Sequence, residues 1–436
     1  MADDNERNAA ARAKYLSMDN IGDNRFGDRL ASMSTSCSVL VPSHESLQTS
    51  FSSTPPSPPL PLPTNRVINL LKGHPNDNHL PSEAISRVLK RMSLKSLPLN
   101  YGDEQGCASL RAHLAAFIAP DCDPNDLFIT NGISHSLDML AAALRPEDTD
   151  TPYTVYVEAP SYFLASQIFK DHGAEVLPAP MLSTGGIDPI KLSSLLSSTH
   201  GVSLVYVIPT HHNPTSFTYS LEHRVSLSNS CSKNGVYLLA DEVYHLLSFA
   251  SAPPPPPRFR SSSNRDPLMI SLGSFTKIFS PGVRCGWVEA DVSVVRRLVG
   301  RGCTQSQGGA APFTGEMMRV ALETGEVGRH LETLRGEYGR RCGVMVAMLR
   351  TSSKIKLPFV PEGGYFLWVE VTGVGEGFVS ILESKYNIVV MDGSRAGMPS
   401  KGGVTYIRLC FACLDAVDIY EGVARLVKAV NETTGS

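Results

Sequence analysis

An α/β fold, with a largely parallel sheet sandwiched by helices, is predicted by three observations. Short apolar runs alternate with helical patterns through the middle of the 436-residue chain. Glycine, proline and asparagine punctuate the ends of those runs. Residues able to do chemistry gather just after the runs, at strand carboxyl ends, where sheets of this kind bind ligands.

The chain exceeds one ordinary domain, and its 42% hydrophobic content suits a globular core. A net charge of -3, from 39 basic and 42 acidic residues, gives no electrostatic reason to expect nucleic acid or an anionic membrane. A small-molecule enzyme is the expectation. Nine cysteines, an odd number, read as reduced thiols, and Cys410-Phe411-Ala412-Cys413 lacks the second pair that a metal site needs. No apolar run has the length to cross a bilayer, and Asp3, Asp4 and Glu6 do not suit a signal core or a transit peptide. The cytoplasm is therefore expected.

Taken in order, residues 1–66 are poor in apolar positions and turn Ser/Pro-rich from Ser32, which predicts a disordered tail. A short helix from Ala9 to Leu16, a PxxP-like ligand or linker, and a folding role for the stretch holding Arg25 and Arg29 are all compatible with it. Val67-Ile68-Asn69-Leu70-Leu71 reads as a strand ended by Gly73 and Pro75. Tyr101 and Gly106 lead into a helix with Leu110, Leu114, Phe117 and Ile118 on one face. Leu127 to Thr130 is a strand, Asn131-Gly132 a tight turn, and Leu137, Leu140, Ala141 and Leu144 the buried face of the next helix. Strand, glycine turn and helix put free backbone amides at one point, which favours an anion. Ile133 brings no polar side chain there, so the amides and Ser134 are the available donors.

A strand from Val155 leads through Glu158 and Pro160 to Tyr162, which suits either packing or stacking on a ring. Val202 to Ile208 is a strand, and Asn213-Pro214 an ordinary turn device as much as a site. His211 and His212, with no third ligand at their spacing, read as loop residues or substrate contacts before metal ligands. Val236 to Ala240 is a strand ending in Asp241, which suits a helix N-cap or a buried ion partner, with Tyr244 three residues on. Pro253 to Pro257 and the Ser/Arg-rich run to Pro267 read as a surface insertion.

Met269 to Leu272 is a buried strand, and Lys277 stands just past it with Ser274, Thr276 and Arg284. A solvated lysine fits that position. So does a desolvated amine able to form a Schiff base with a phosphorylated aldehyde whose phosphate the hydroxyls and guanidinium hold. Gly286 to Glu289 reads as a strand returning beside it. Val327, Leu331, Leu334 and Tyr338 mark a long helix, and Pro361-Glu362-Gly363-Gly364 a turn into a strand from Tyr365. Arg408 stands among apolar strand residues, a costly place unless it meets an anion. A helix with Ile419, Val423, Leu426, Val427 and Val430 inward closes the chain.

The ordered set Val157-Glu158-x-Pro160-x-Tyr162, Asn213-Pro214-Thr215, Asp241-x-x-Tyr244, Ser274-x-Thr276-Lys277 with Arg284, and Arg408-Leu409-x-Phe411 resembles the class I/II pyridoxal-phosphate (PLP) aminotransferases of fold type I. The likeness runs from about Val67 to Val430 and is nearest in look to the 2-aminoadipate/aromatic branch. It implies a large domain at 101–312 around a seven-stranded sheet, and a smaller one from 67–100 and 313–436. By the same resemblance Lys277 carries the cofactor as a Schiff base and shuttles the proton, and Asp241 pairs with the ring nitrogen. Asn213 and Tyr244 meet the ring oxygen, and Tyr162 stacks on the ring. The phosphate falls to Ile133 and Ser134 at the helix start, to Ser274, Thr276 and Arg284, and to Tyr101 reaching across a homodimer. Arg408 is implied to fork onto the substrate carboxylate, with Gly73 and Asn213 beside it. Ser216 stands where the family has glycine, which puts the turn conformation in doubt. For a second, side-chain carboxylate no arginine is assignable, and Arg25 or Arg29 folding in is the working expectation. The same constellation also fits a PLP-dependent lyase or an aminocyclopropane-carboxylate-synthase-like enzyme. A non-enzymatic sensor behind a DNA-binding domain fits less well, because the tail is too poor in apolar residues for a winged helix.

Overall fold

The computed structural model describes residues 66–92, 97–148, 150–261 and 264–435. The expectations for the tail, including its short helix, Arg25, Arg29 and the PxxP spacing, lie outside the described residues.

Strand β1 (Ile68–Asn69) is followed by α1 (Ser82–Arg91), α2 (Ala108–Ile118), β2 (Leu127–Thr130), α3 (Ile133–Leu144), β3 (Tyr153–Val157), α4 (Phe163–Asp171) and β4 (Glu175–Pro178). Next come α5 (Pro189–Ser198), β5 (Val202–Val207), α6 (Leu221–Lys233), β6 (Tyr237–Asp241), β7 (Met269–Ser274), α7 (Phe275–Ile278) and β8 (Gly286–Glu289). Helices α8 (Val292–Val299), α9 (Gly302–Gln307), α10 (Pro312–Glu323) and α11 (Glu326–Leu349) lead to β9 (Ile355–Lys356) and β10 (Phe366–Thr372). The chain ends with α12 (Phe378–Tyr386), β11 (Ile388–Val389), β12 (Met391–Asp392), β13 (Val404–Cys410) and α13 (Ala416–Thr434).

The central sheet has seven strands in the order β2-β8-β7-β6-β5-β3-β4. From β4 to β7 every pairing is parallel, and β8 returns antiparallel between β7 and β2. This is the predicted mostly parallel α/β sheet, with Gly286–Glu289 beside the lysine strand. Its central strands are buried along their length, so they read as apolar runs without alternation. A four-stranded antiparallel sheet, β12-β13-β10-β9, carries Arg408, and β1 pairs in parallel with β11. The predicted face of α11, with Val327, Leu331, Leu334 and Tyr338, is buried. In α13 Ile419, Val423, Leu426 and Val430 are buried, whereas Val427 only packs against the core's edge. Edge strand β4 gives no periodic signal, since its four residues alternate neither in polarity nor in burial.

The proline segment departs from a plain surface insertion. Arg258, Phe259 and Arg260 are buried. Phe259 packs in the cluster with Tyr219 and Leu238, Arg258 pairs with the buried Glu289 of β8, and Arg260 donates to Asp126 at 2.8 Å. Arg265 reaches the same Asp126 oxygen at 2.8 Å. The buried carboxylates explain the difference: each needs a cation, and the arginine-rich run supplies it.

Arg258→Ala leaves Glu289 buried without its cation, and a cost of about 3–5 kcal/mol in unfolding free energy is expected. Urea denaturation checks this. A loss below about 1 kcal/mol, the range of an exposed pair, would mean that Glu289 is compensated otherwise.

Candidate active site

Parallel neighbours β5, β6 and β7 end at one edge of the sheet, and each contributes there. Leu239 and Ala240 of β6 pair with Ile270 and Ser271 of β7, so Asp241 finishes its strand beside the segment that leads to Lys277. Asp241 is 3% exposed, and its Oδ2 accepts from the phenol of the fully buried Tyr206 at 2.8 Å. Burial raises its pKa to about 6, against which the Tyr206 hydrogen bond acts.

Lys277 sits in the single turn of α7, capped by Ser274, whose Oγ accepts from the Thr276 amide at 3.1 Å. Its Nζ donates to the Gly73 carbonyl at 2.9 Å and stands 4.9 Å above the centre of the Tyr365 ring, while Tyr365 Oη donates to the Lys277 carbonyl at 3.0 Å. Burial brings the amine down to about 8. The charges of Arg408 and Arg284 act the same way, and Asp241 opposes them.

A third group forms around Gly132, the N-cap of α3, which has φ 93° and no side-chain cap. The first turn of this helix therefore presents free amides at Ile133 and Ser134. Arg284 Nη2 donates to the Asn131 carbonyl at 2.8 Å, and its Nη1 lies 3.4 Å from Thr276 Oγ1, so guanidinium, hydroxyl and helix start converge. A Cβ on Gly132 would lie 2.7 Å from Arg284 Nη2, which explains glycine there twice over. Ser274 is buried, its hydroxyl 2.8 Å from Thr276 Oγ1. Ile133 is half-buried against the core, and Ser134 is exposed.

The fourth group joins the two sheets. Arg408 donates from Nη1 to Asn213 Oδ1 at 2.9 Å and from Nη2 to the Leu71 carbonyl at 2.8 Å, and its guanidinium lies 3.9 Å from the Phe366 ring centre. Its Nε is buried with no partner among the described residues. Asn213 thus presents its carbonyl to the arginine, which leaves the amide nitrogen for something else. The turn holding it keeps the left-handed geometry despite Ser216: φ is 67°, and the hydroxyl donates to the Phe366 carbonyl at 2.6 Å. That bond is what the family's glycine could not make. His211 and His212 are buried in this loop and belong to its scaffold. His211 bonds Ser248 at 3.0 Å, and His212 lies 3.1 Å from Glu158, which also accepts from Tyr219 at 2.7 Å. Among the described residues no cluster suits a metal ion.

Tyr244 is buried against Tyr365, with ring centres 5.6 Å apart. Tyr162 is half-buried at the start of α4, and its phenol pKa is raised by burial and then by the nearby Asp241 charge. Lys277, Asp241, Tyr162, Tyr244, Asn213, Arg408 and Gly73 thus meet, with Ser274, Thr276, Arg284 and the α3 start alongside. Tyr101 does not join them: it is 80% exposed, on the loop packed against Gly308. Sequence reasoning missed Tyr206, which reads as a core aromatic in an apolar strand, and the role of Tyr365 beneath the lysine. Only the hydroxyls distinguish them from phenylalanine.

The sequence model of the aminotransferase class I and II family matches residues 65–426. The chain belongs to this family. It is an aminotransferase, of fold type I. A 2-aminoadipate transaminase of Thermus thermophilus is 30% identical over 80% of the chain and 85% of its own length. An aromatic-amino-acid aminotransferase of Thermococcus litoralis is 26% identical over 85% of the chain and 89% of its own. Among solved structures, a kynurenine aminotransferase of Pyrococcus horikoshii in complex with PMP superposes with a TM-score of 0.73 at 26% identity, covering 85% of this chain and 92% of that one. The transaminase reading and its branch therefore hold, and nothing favours the lyase alternative.

The Lys277 amine, brought down to about 8, loses its proton well below an ordinary lysine. In cofactor-free protein, reductive methylation followed by peptide mass spectrometry is expected to show half-maximal reactivity of Lys277 near pH 8, while exposed lysines continue to rise above pH 9. Parallel curves for all lysines would remove the desolvated-amine reading.

Proposed function

We propose that this aminotransferase uses pyridoxal 5'-phosphate, moves an amino group from an α-amino acid to a 2-oxo acid, and works as a homodimer in the cytoplasm. The observation that carries the cofactor assignment is one of charge. Lys277 feels the charges of Arg284 and Arg408 with Asp241 opposing them, Arg408 keeps a buried Nε without a partner among the described residues, and a helix start offers open amides. Such a site asks for anions. A phosphate and a substrate carboxylate suit the two cationic ends.

Lys277 would hold the aldehyde carbon, Asp241 the ring nitrogen, Asn213 and Tyr244 the ring oxygen, and Tyr162 the ring face. The amides of Ile133 and Ser134, the hydroxyls of Ser274 and Thr276, and Arg284 would hold the phosphate, with Tyr101 of a second copy completing it. Bound there, the cofactor supplies an aldehyde that captures amines and a protonated ring that withdraws electrons from the substrate α-carbon. Arg408 orients the substrate by forking onto its carboxylate, which fixes which α-carbon bond faces Lys277. The displaced Lys277 amine, neutral over much of the range above pH 8, takes the α-proton as base and returns it as acid. Asp241 stays ionised because Tyr206 donates to it, and so it holds a proton on the ring nitrogen.

Exposed Tyr101, whose phenol has no partner among the described residues, supports the homodimer reading. The division into 101–312 and the flanking segments is supported by the central sheet lying between Leu127 and Glu289, and by β1 pairing with β11. No helix among the described residues is long and apolar enough to cross a membrane, which agrees with the cytoplasmic reading.

Lys277→Ala is expected to bind the cofactor yet lose amino transfer by a factor of about 10⁴ or more, since it removes both the anchor and the proton carrier. Stopped-flow absorbance with a panel of amino acids checks this. Transfer within tenfold of wild type would assign the proton to another group. Tyr206→Phe is expected to lower kcat about tenfold. Losing that donor raises the Asp241 pKa further, so the acid limb of the pH profile moves to higher pH. An unmoved limb would make Tyr206 a packing residue only.

A further inference from the structure

A second guanidinium, exposed and with no carboxylate of its own among the described residues, lies near Arg408. Arg395 lies in a short turn, Gly393–Ala396, that follows β12. Strand β12 lies directly on the arginine strand, with Met391 opposite Arg408 in the register. The Ala396 carbonyl accepts from the Ser161 amide at 3.4 Å, which lays this turn against the segment leading to Tyr162. The Arg395 guanidinium lies 4.9 Å from the centre of the Phe163 ring, and Phe163 is 6.0 Å from Tyr162. Among the described residues Arg395 forms no ion pair and no side-chain hydrogen bond, while its neighbour Arg408 is itself unpaired by any carboxylate.

The two like charges are near enough to act on one another. Burial holds the Arg408 guanidinium below its ordinary value, and Arg395 is among the charges that add to this. An anion meeting both would relieve that repulsion, and a second carboxylate on the ligand would give each guanidinium its own partner. The ring beneath Arg395 holds its plane in place, so little freedom is lost when the fork is used.

We propose that Arg395 is a specificity residue that receives the side-chain carboxylate of a dicarboxylic amino acid or 2-oxodicarboxylic acid whose α-carboxylate is held by Arg408. This rests on the transaminase reading above. It also gives the second carboxylate a partner among the described residues, in place of Arg25 or Arg29.

The test compares glutarate with pentanoate, equal in length and differing by one carboxylate, by calorimetry on the PLP-loaded full chain. Glutarate is expected to bind roughly 10- to 100-fold more tightly, an advantage lost in Arg395→Met and partly kept in Arg395→Lys. In steady-state kinetics, kcat/KM for glutamate or 2-aminoadipate is expected to fall by about the same factor in Arg395→Met, while that for phenylalanine changes less than about threefold. No glutarate advantage in the wild type, an advantage that survives in Arg395→Met, or equal losses for glutamate and phenylalanine would each overturn the assignment. If glutarate binding depends on Arg395 while no donor passes its amino group on, the transaminase reading fails and the subsite stands.

Discussion

A buried amine that feels two guanidinium charges and one buried carboxylate sets the terms for this molecule. Asp241 is fixed by Tyr206 from the next strand, and Lys277, Arg284 and Arg408 come from separate elements that the fold must bring to one sheet edge. Burial first, and then the charges of Arg408 and Arg284, leave the Lys277 proton held less firmly than in water. A core built only to be stable would not collect such charges. Their cost is offset by the apolar strands beneath, buried nearly throughout.

Much of this was legible in the sequence, for a physical reason. Strands of a parallel sheet covered on both faces are apolar along their length, so the runs around Val205, Leu239 and Ile270 announced themselves, and the polar residues that followed had to lie at their carboxyl ends. Asp241, Lys277 and Arg408 stood out because charge beside an apolar run demands an explanation. Tyr206 did not stand out. Its ring obeys the apolar pattern, and only the placement of its hydroxyl against Asp241 of the neighbouring strand gives it a role. Arg258 and Arg260 were hidden the other way, since arginines in a proline-rich run look like solvated surface until buried carboxylates 31 and 134 positions away are found beside them. Arg395 has the same difficulty, because no periodicity marks an exposed turn residue stacked on an aromatic ring.

Loop 209–216 shows how rigidity is transmitted to a polar side chain. Below it, Glu158 accepts from the Ile208 amide and from Tyr219, and lies against His212. Above it, Ser216 binds the Phe366 carbonyl and Arg408 grips Asn213. Asn213 is therefore set by groups from both the central sheet and the four-stranded sheet, which leaves its amide little freedom of orientation.

The proline segment separates the strand of Asp241 from the strand of Lys277 by 27 intervening positions, 242 to 268, yet those two strands are direct neighbours in the sheet. Because Arg258, Phe259 and Arg260 pin the segment at its middle, the prolines before them behave as a short excursion of their own. Closure entropy grows only with the logarithm of length, so that excursion could lengthen or shorten at little cost. The distance between acid and amine would not register the change. In a lineage, this is where residues could come and go while the chemistry stayed fixed.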